Sequence, residues 1–226
     1  MFKMTKIDEP FLSFFNLSVV RRIFQSGKIH VWQFLLDSSE AEDFEALLSL
    51  EELEKASRFR FQQDRERFVK SHALLRCVLS FYSKIEPEKL AFGYGTHGKP
   101  FLSNPIEKPM NFNLSHSHNL VCCAITESGK IGMDIEHICP EFDFGAAMEI
   151  FFKESEIRAI KSLPENLQAQ TFFRIWTRKE ALGKALGVGL SQEITPEEES
   201  RWVVRNLTGM KDYAGAIAYE KTEENL

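Results

Sequence analysis

Apolar positions along the chain switch between alternation and helical spacing, and each switch marks an element. Ile29 to Leu35 reads as a strand. Ser49 followed by Glu52 has the form of a capping box, so a helix is expected to start there and carry Leu53 and Ala56 inward. A longer helix is expected from about Gln62 to Lys84, with Phe68, Leu75, Leu79 and Tyr82 as its apolar stripe. Phe92 to Phe101 reads as a strand end running into a glycine-rich turn, and Met110 to Leu114 as a strand followed by a Ser-His-Ser-His loop. Leu120 to Thr126, a Glu-Ser-Gly-Lys turn and Ile131 to Ile138 have the pattern of a β-hairpin. Helices are expected again over Phe144 to Leu163 and Thr171 to Leu186, the second with Phe172, Ile175, Leu182 and Leu186 in one stripe and Gly187 and Gly189 as its stop. Arg201 to Leu207 and Tyr213 to Tyr219 read as strands.

The order strand, helix, helix, strand occurs twice, and Ala73-Leu74 lines up with Ala181-Leu182, Arg76 with Lys184. The expectation is an α+β chain of two similar α/β lobes, residues 1–118 and 119–226, with a cleft between them, a favoured place for a ligand. The 226 residues allow two lobes without requiring them.

Composition narrows the partners. Hydrophobic residues at 43% and charged residues at 27% are those of a globular chain and argue against disorder or a coiled coil. A net charge of -5 gives no electrostatic reason to expect nucleic acid. Any basic site is local, and the basic residues do cluster between Arg58 and Arg76. Cys77, Cys122, Cys123 and Cys139 show no CxxC spacing and read as reduced thiols of a cytoplasmic protein. Phe11 to Val20 is apolar, but Asp8 and Glu9 precede it and Arg21-Arg22 follow it, the wrong charge order for secretion, and the run is too short to span a membrane.

Three segments can carry chemistry. In Ile131-Gly-Met-Asp-Ile-Glu-His137 the alternation puts Gly132, Asp134 and Glu136 on one face. Such a pair most often marks a solvated strand. In Trp176-Thr-Arg-Lys-Glu-Ala-Leu-Gly-Lys184 helical spacing puts Glu180 and Lys184 together, which by itself is an ion pair worth about 0.3–0.5 kcal/mol. If the three carboxylates meet, each close pair repels by about 4 kcal/mol at an effective dielectric near 20, and a divalent cation removes that cost. Oxygen ligands without a His or Cys pair favour magnesium or manganese over zinc. Asn111 to His118 is a strand ending in hydroxyls and imidazoles, of which Ser115 and His116 can donate to phosphate oxygens; the Gly98-Lys99-Pro100 turn can add a backbone N–H nest and an ammonium.

Together and in this order, Gly98-Lys99-Pro100, Phe112 to His116, Ile131 to Glu136 and Phe173 to Lys184 resemble the 4′-phosphopantetheinyl transferases, specifically the two-lobed Sfp-like class. Arg58-Phe59 and Asp64 to Phe68 also resemble the first-lobe helix of that family. The resemblance implies transfer of the phosphopantetheine arm of coenzyme A to a serine of an apo acyl or peptidyl carrier protein, by a monomer acting without nucleic acid or membrane. It implies Asp134, Glu136 and Glu180 as magnesium ligands, Glu180 as base, and Lys184 and His116 on the pyrophosphate. Ser115, Lys99, Gly98 and Pro100 become coenzyme A contacts, and Lys55 and Arg67 the basic residues of the 3′-phosphate, with Glu52 where relatives often carry a second basic residue. The alternatives are a metal-dependent phosphodiesterase acting on a coenzyme A-like pyrophosphate, and a carrier-binding module without activity. The apolar run Phe142 to Phe152 is a candidate carrier-docking patch or core packing.

Overall fold

The computed structural model describes residues 20–26, 29–36, 42–189 and 195–221; the N-terminal apolar run lies outside them apart from Val20. An antiparallel sheet of order β1-β2-β6-β5 comprises β1 (Val20–Ser26), β2 (Ile29–Leu35), β5 (Asn111–Ser117) and β6 (Leu120–Thr126). A second, of order β7-β9-β8, comprises β7 (Ile131–His137), β8 (Trp202–Asn206) and β9 (Tyr213–Glu220). A short hairpin of β3 (Phe92–Tyr94) and β4 (Pro100–Leu102) stands apart. The helices are α1 (Glu42–Glu45), α2 (Leu50–Ser57), α3 (Gln62–Ser83), α4 (Gly145–Phe151), α5 (Glu154–Lys161), α6 (Glu165–Leu186) and α7 (Pro196–Ser200).

The layers run helix, sheet, sheet, helix, and they explain the run Leu120 to Thr126, apolar at every position but its last. Val121, Cys123 and Ile125 pack with Leu74, Leu75, Val78 and Leu79 of α3. On the opposite face Leu120, Cys122 and Ala124 join Ile131, Met133 and Ile135 of β7 and Ile217 and Tyr219 of β9. A strand buried on both faces has no polar side to alternate with. The remaining face of the second sheet receives α6, where Ala181 and Ala185 meet Ala216 and Ala218. Each sheet thus carries one 22-residue helix.

Three element readings change, and a different boundary between the lobes is proposed. β6 and β7 form no hairpin: β6 pairs with β2 and β5, β7 with β9, and residues 127–130 pass from one sheet to the other. The division expected between 118 and 119 falls in the connection between β5 and β6, which pair from Asn111↔Thr126 to Ser117↔Leu120. We take residues 127–130 as the division between lobes instead. The Ser-His-Ser segment is not loop but the end of β5, because Ser117 still pairs with Leu120. Phe144 to Leu163 is two helices, broken where Phe152 is extended so that its ring stacks on Phe172 at 5.1 Å. Phe144 stacks on the same ring at 4.9 Å, so these members of the apolar run are core, while Phe142 and Ile150 stay exposed.

The capping box forms as expected, Glu52 N–H donating to Ser49 Oγ and Ser49 N–H to Glu52 Oε2. Glu52 then turns inward rather than toward a substrate. Arg76, itself 1% exposed, donates to its carboxylate from Nη2 at 2.6 Å and Nε at 2.8 Å, and His72 Nδ1 stands 3.1 Å from Oε1. Arg76 Nη1 donates to the Pro87 and Leu90 carbonyls, tying the chain after α3. Burial alone would raise the pKa of Glu52, but the hydrogen bonds from His72, Arg76 and Ser49 and the arginine charge bring it from 4.5 down to about 2.

A pKa lowered by folding means that the stability Glu52 contributes is full above about pH 4.5 and is lost as pH falls toward 2. Glu52→Gln is expected to lower unfolding free energy at pH 7 by about 3 kcal/mol or more, because it strands a buried guanidinium. Urea melts from pH 7 to 2 should show the difference from wild type shrinking across that acid window. Gly132→Ala tests the contact between β7 and α6: a Cβ there would stand 2.1 Å from the Ala181 carbonyl oxygen and 2.2 Å from Ala185 N. Backbone must move, and a loss of about 3 kcal/mol is expected, measured in the same melts.

Candidate active site

β5 and β7 are edge strands of different sheets, and they lie side by side without exchanging backbone hydrogen bonds. Side chains of β5 stand in. Asn113 Oδ1 accepts from Met133 N–H at 2.7 Å, Ser115 Oγ from Ile135 N–H at 3.2 Å, and Ser117 Oγ from His137 N–H at 3.0 Å. The constant offset of 20 residues means that the strands run parallel. Alternate residues of β5 therefore cap alternate amides of β7, as the two-residue repeat of a strand requires.

The same hydroxyls orient the carboxylates between those amides. Ser115 Oγ donates to Asp134 Oδ1 at 3.1 Å and Ser117 Oγ to Glu136 Oε2 at 2.9 Å. From α6, Lys184 Nζ donates to Asp134 Oδ1 at 2.7 Å and to Ser115 Oγ at 3.3 Å. Ser115 thereby uses its one donor and both acceptor positions inside the protein. The helix comes this near because Gly132 leaves it room.

Burial raises the pKa of all three carboxylates. At Asp134 it outweighs the Lys184 charge and the hydrogen bonds from Lys184 and Ser115. At Glu136 the charges of Asp134 and Glu180 add to it, and at Glu180 the charge of Asp134 does. The three acids thus sense one another. Among the described residues they do not stand as a closed ligating group, and Lys184 takes Asp134 Oδ1. Asp134 Oδ2 is buried with no hydrogen-bond partner. An orphan carboxylate oxygen beside two further acids offers hard oxygen donors of the kind a divalent cation takes.

Cations and imidazoles border the acids. His116 lies on β5 between the two serines, and its pKa is lowered first by desolvation, then by His72, Lys184 and Arg67. Arg67 of α3 holds Asp64 at 3.5 Å while its Nε is buried without a partner. Its charge reaches His116 of the first sheet, His118 of the turn that follows β5 and Tyr213 of the second sheet. His118, the left-handed residue of the β5–β6 turn, has its ring 4.3 Å from that of His137.

Ser115, His116, Asp134, Glu136, Glu180, Lys184 and Arg67 are therefore neighbours, directly or through their charges. Lys55 is held differently, its ammonium 4.5 Å over the Tyr94 ring. In the Gly98-Lys99-Pro100 turn Gly98 N–H donates to the Gly95 carbonyl, and the Lys99 carbonyl accepts from Gly95 N–H, both at 2.9 Å. The Lys99 ammonium is bound to main-chain carbonyls. A cavity of about 310 Å³ opens beside this turn, bordered by Thr96, His97, Met110, Lys130 and Leu186, near the beginnings of β5 and β7. Sequence reasoning missed Asn113 and Ser117 as ladder rungs and Gly132 as the contact point of α6. The signal was present in the polar residues at every second position of Asn113 to Ser117 and in a glycine on the carboxylate face.

Comparison with known proteins places the chain. The family model for the 4′-phosphopantetheinyl transferase superfamily matches residues 130–216, and the model for the N-terminal part of 4′-phosphopantetheinyl transferases matches residues 37–128. The 4′-phosphopantetheinyl transferase HetI of Nostoc sp. is 37% identical over 208 residues, 85% of this chain and 88% of the relative. A putative 4′-phosphopantetheinyl transferase of Synechocystis sp. is 31% identical over 74% of this chain and 70% of its own. The 4′-phosphopantetheinyl transferase Sfp of Bacillus subtilis is 32% identical over 69% and 67%. Family models match stretches of both halves of the chain, and a relative 37% identical covers 85% of it, so the protein belongs to the 4′-phosphopantetheinyl transferase superfamily and is a transferase.

Proposed function

We propose that the protein transfers the 4′-phosphopantetheine arm of coenzyme A to a serine hydroxyl of an apo acyl or peptidyl carrier protein, releasing adenosine 3′,5′-bisphosphate. The observation that carries this reading is the cluster of three carboxylates with raised pKa values, flanked by Lys184, His116 and Arg67, at the seam between the lobes. Acids that favour a cation beside groups that hold anions suit a substrate with a pyrophosphate.

Asp134, Glu136 and Glu180 would hold magnesium, or manganese; the orphan Asp134 Oδ2 and the all-oxygen donor set fit such an ion. When bound, the ion neutralises charge on the pyrophosphate. The serine oxygen forms a bond to the phosphorus bearing the pantetheine arm, and the bond from that phosphorus to the bridging oxygen breaks, with the bridging oxygen leaving on the nucleotide. Glu180 accepts the serine proton; burial and the Asp134 charge make it a stronger base than a solvated glutamate. Lys184 and His116 hold pyrophosphate oxygens through charge-assisted hydrogen bonds. Arg67 and Lys55 serve the 3′-phosphate, Gly98 and Pro100 shape the nucleotide loop, and Ser115, a coenzyme A contact by resemblance, also orients Asp134 and Lys184.

The assay is direct. Incubated with coenzyme A, magnesium and a panel of apo-carrier proteins, the enzyme should add one phosphopantetheine to a carrier serine, read by mass spectrometry. Free phosphopantetheine with an unmodified carrier would mark a phosphodiesterase instead, and no change on any carrier would end the reading. Glu180→Ala should lose about 10²–10⁴-fold in turnover with the fold intact.

A second measurement needs no turnover. The raised pKa values mean that folding favours the protonated acids, so without a cation stability falls as pH climbs through the carboxylate range. Glu180→Gln should therefore melt higher than wild type in EDTA at pH 7, and magnesium should raise the melting temperature of wild type more than that of the variant. Equal magnesium shifts would remove Glu180 from the ligand set.

A further inference from the structure

Lys99 leaves the β3–β4 hairpin and crosses to the second lobe. Its Nζ donates to the carbonyl of Ile131, the first residue of β7, at 2.6 Å and to the carbonyl of Lys184, in the last turn of α6, at 2.8 Å. Burial, with the Lys130 charge adding to it, pushes the pKa of the ammonium down to about 8. A half-buried ammonium answered by two short main-chain contacts is held in place, with two of its three N–H donors spent on the second lobe.

The two carbonyls sit at a strategic point. Ile131 adjoins Gly132 and Lys184 adjoins Ala185, and Gly132 packs against Ala181 and Ala185, an added Cβ lying 2.1 Å from the Ala181 carbonyl oxygen and 2.2 Å from Ala185 N. The Lys184 carbonyl is also one of the last four of α6, which lack a partner within the helix and favour a positive charge. One residue is consequently fixed at both ends: the main chain of Lys184 by Lys99, its side chain by Asp134 Oδ1 and Ser115 Oγ.

We propose that Lys99 is a positioning residue, a strut from the first lobe that clamps α6 to β7 and so sets Lys184 and Glu180 against Asp134 and Glu136. The proposal rests on the transfer reading above for its kinetic consequences and on the two hydrogen bonds for the clamp itself. It differs from a coenzyme A contact in what its loss changes. Removing a substrate contact raises KM, whereas displacing the catalytic helix lowers kcat, and an error of about 1 Å in such a group can cost about 10²-fold.

Lys99→Met and Lys99→Arg should be compared with wild type in carrier modification at saturating carrier. Lys99→Met is expected to lower kcat about 10- to 100-fold with KM for coenzyme A changed less than about threefold. Lys99→Arg, which keeps a charge and several donors, should recover most of the loss. A KM raised tenfold with kcat kept would make Lys99 a substrate contact and overturn the proposal. So would a lower melting temperature with both constants unchanged, or a failure of Lys99→Arg to rescue. If Lys99→Met does not fold, Lys99→Gln takes its place under the same criteria. Amide hydrogen exchange separates the clamp from the function: Gly187 and Val188, whose N–H groups close the end of α6 on the Gly183 carbonyl, should exchange at least about tenfold faster in Lys99→Met. Inactive wild type with faster exchange in the variant would reject the transfer reading and keep the clamp, and unchanged exchange would reject the clamp.

Discussion

The seam between β5 and β7 is the constraint on which the rest depends. Two edge strands brought together without a backbone ladder would bury the N–H groups of Met133, Ile135 and His137 unpaired, at about 1–3 kcal/mol each. Asn113, Ser115 and Ser117 prevent this, and in doing so they fix the register of one lobe on the other. A slip of one residue would offer Leu114 and His116 to the same amides. Because the Ser115 and Ser117 hydroxyls donate hydrogen bonds to Asp134 and Glu136, the atoms that join the lobes also orient the acids.

Arg76 and Lys184, matched by the internal repeat, both reach a buried carboxylate, with opposite results. Glu52 receives donors from Ser49, His72 and Arg76, and its pKa falls to about 2. Asp134 receives Lys184 and Ser115 on one oxygen, has no partner on the other, and keeps a raised pKa beside two further acids. The difference lies in the supply of donors. The first carboxylate is locked as structure, and the second keeps one buried oxygen without a hydrogen-bond partner.

Small residues make the acidic cluster possible. Gly132, Ala181, Ala185, Ala216 and Ala218 let α6 approach the second sheet closely, which brings Lys184 onto Asp134 and Glu180, one turn before it, within reach of the Asp134 charge. Lys99 secures that contact from the opposite lobe, so the geometry of the second-lobe site depends on a first-lobe hairpin.

What the sequence determined by itself was local. The capping box at Ser49, the stop of α6 at Gly187 in a left-handed conformation and the strand β2 follow from short-range hydrogen bonding and alternation, which neighbouring residues settle. The site motifs were legible for the same reason: two apart on a strand and four apart on a helix are distances that local geometry fixes. Tertiary structure alone decided that β6 and β7 part into different sheets, since a strand buried on both faces shows no alternation to say which neighbour it takes. It alone turned Glu52 inward and gave the Lys99 ammonium to two carbonyls, because the competing partners, Arg76 24 residues away and Lys184 85 residues away, become neighbours only when the chain has folded.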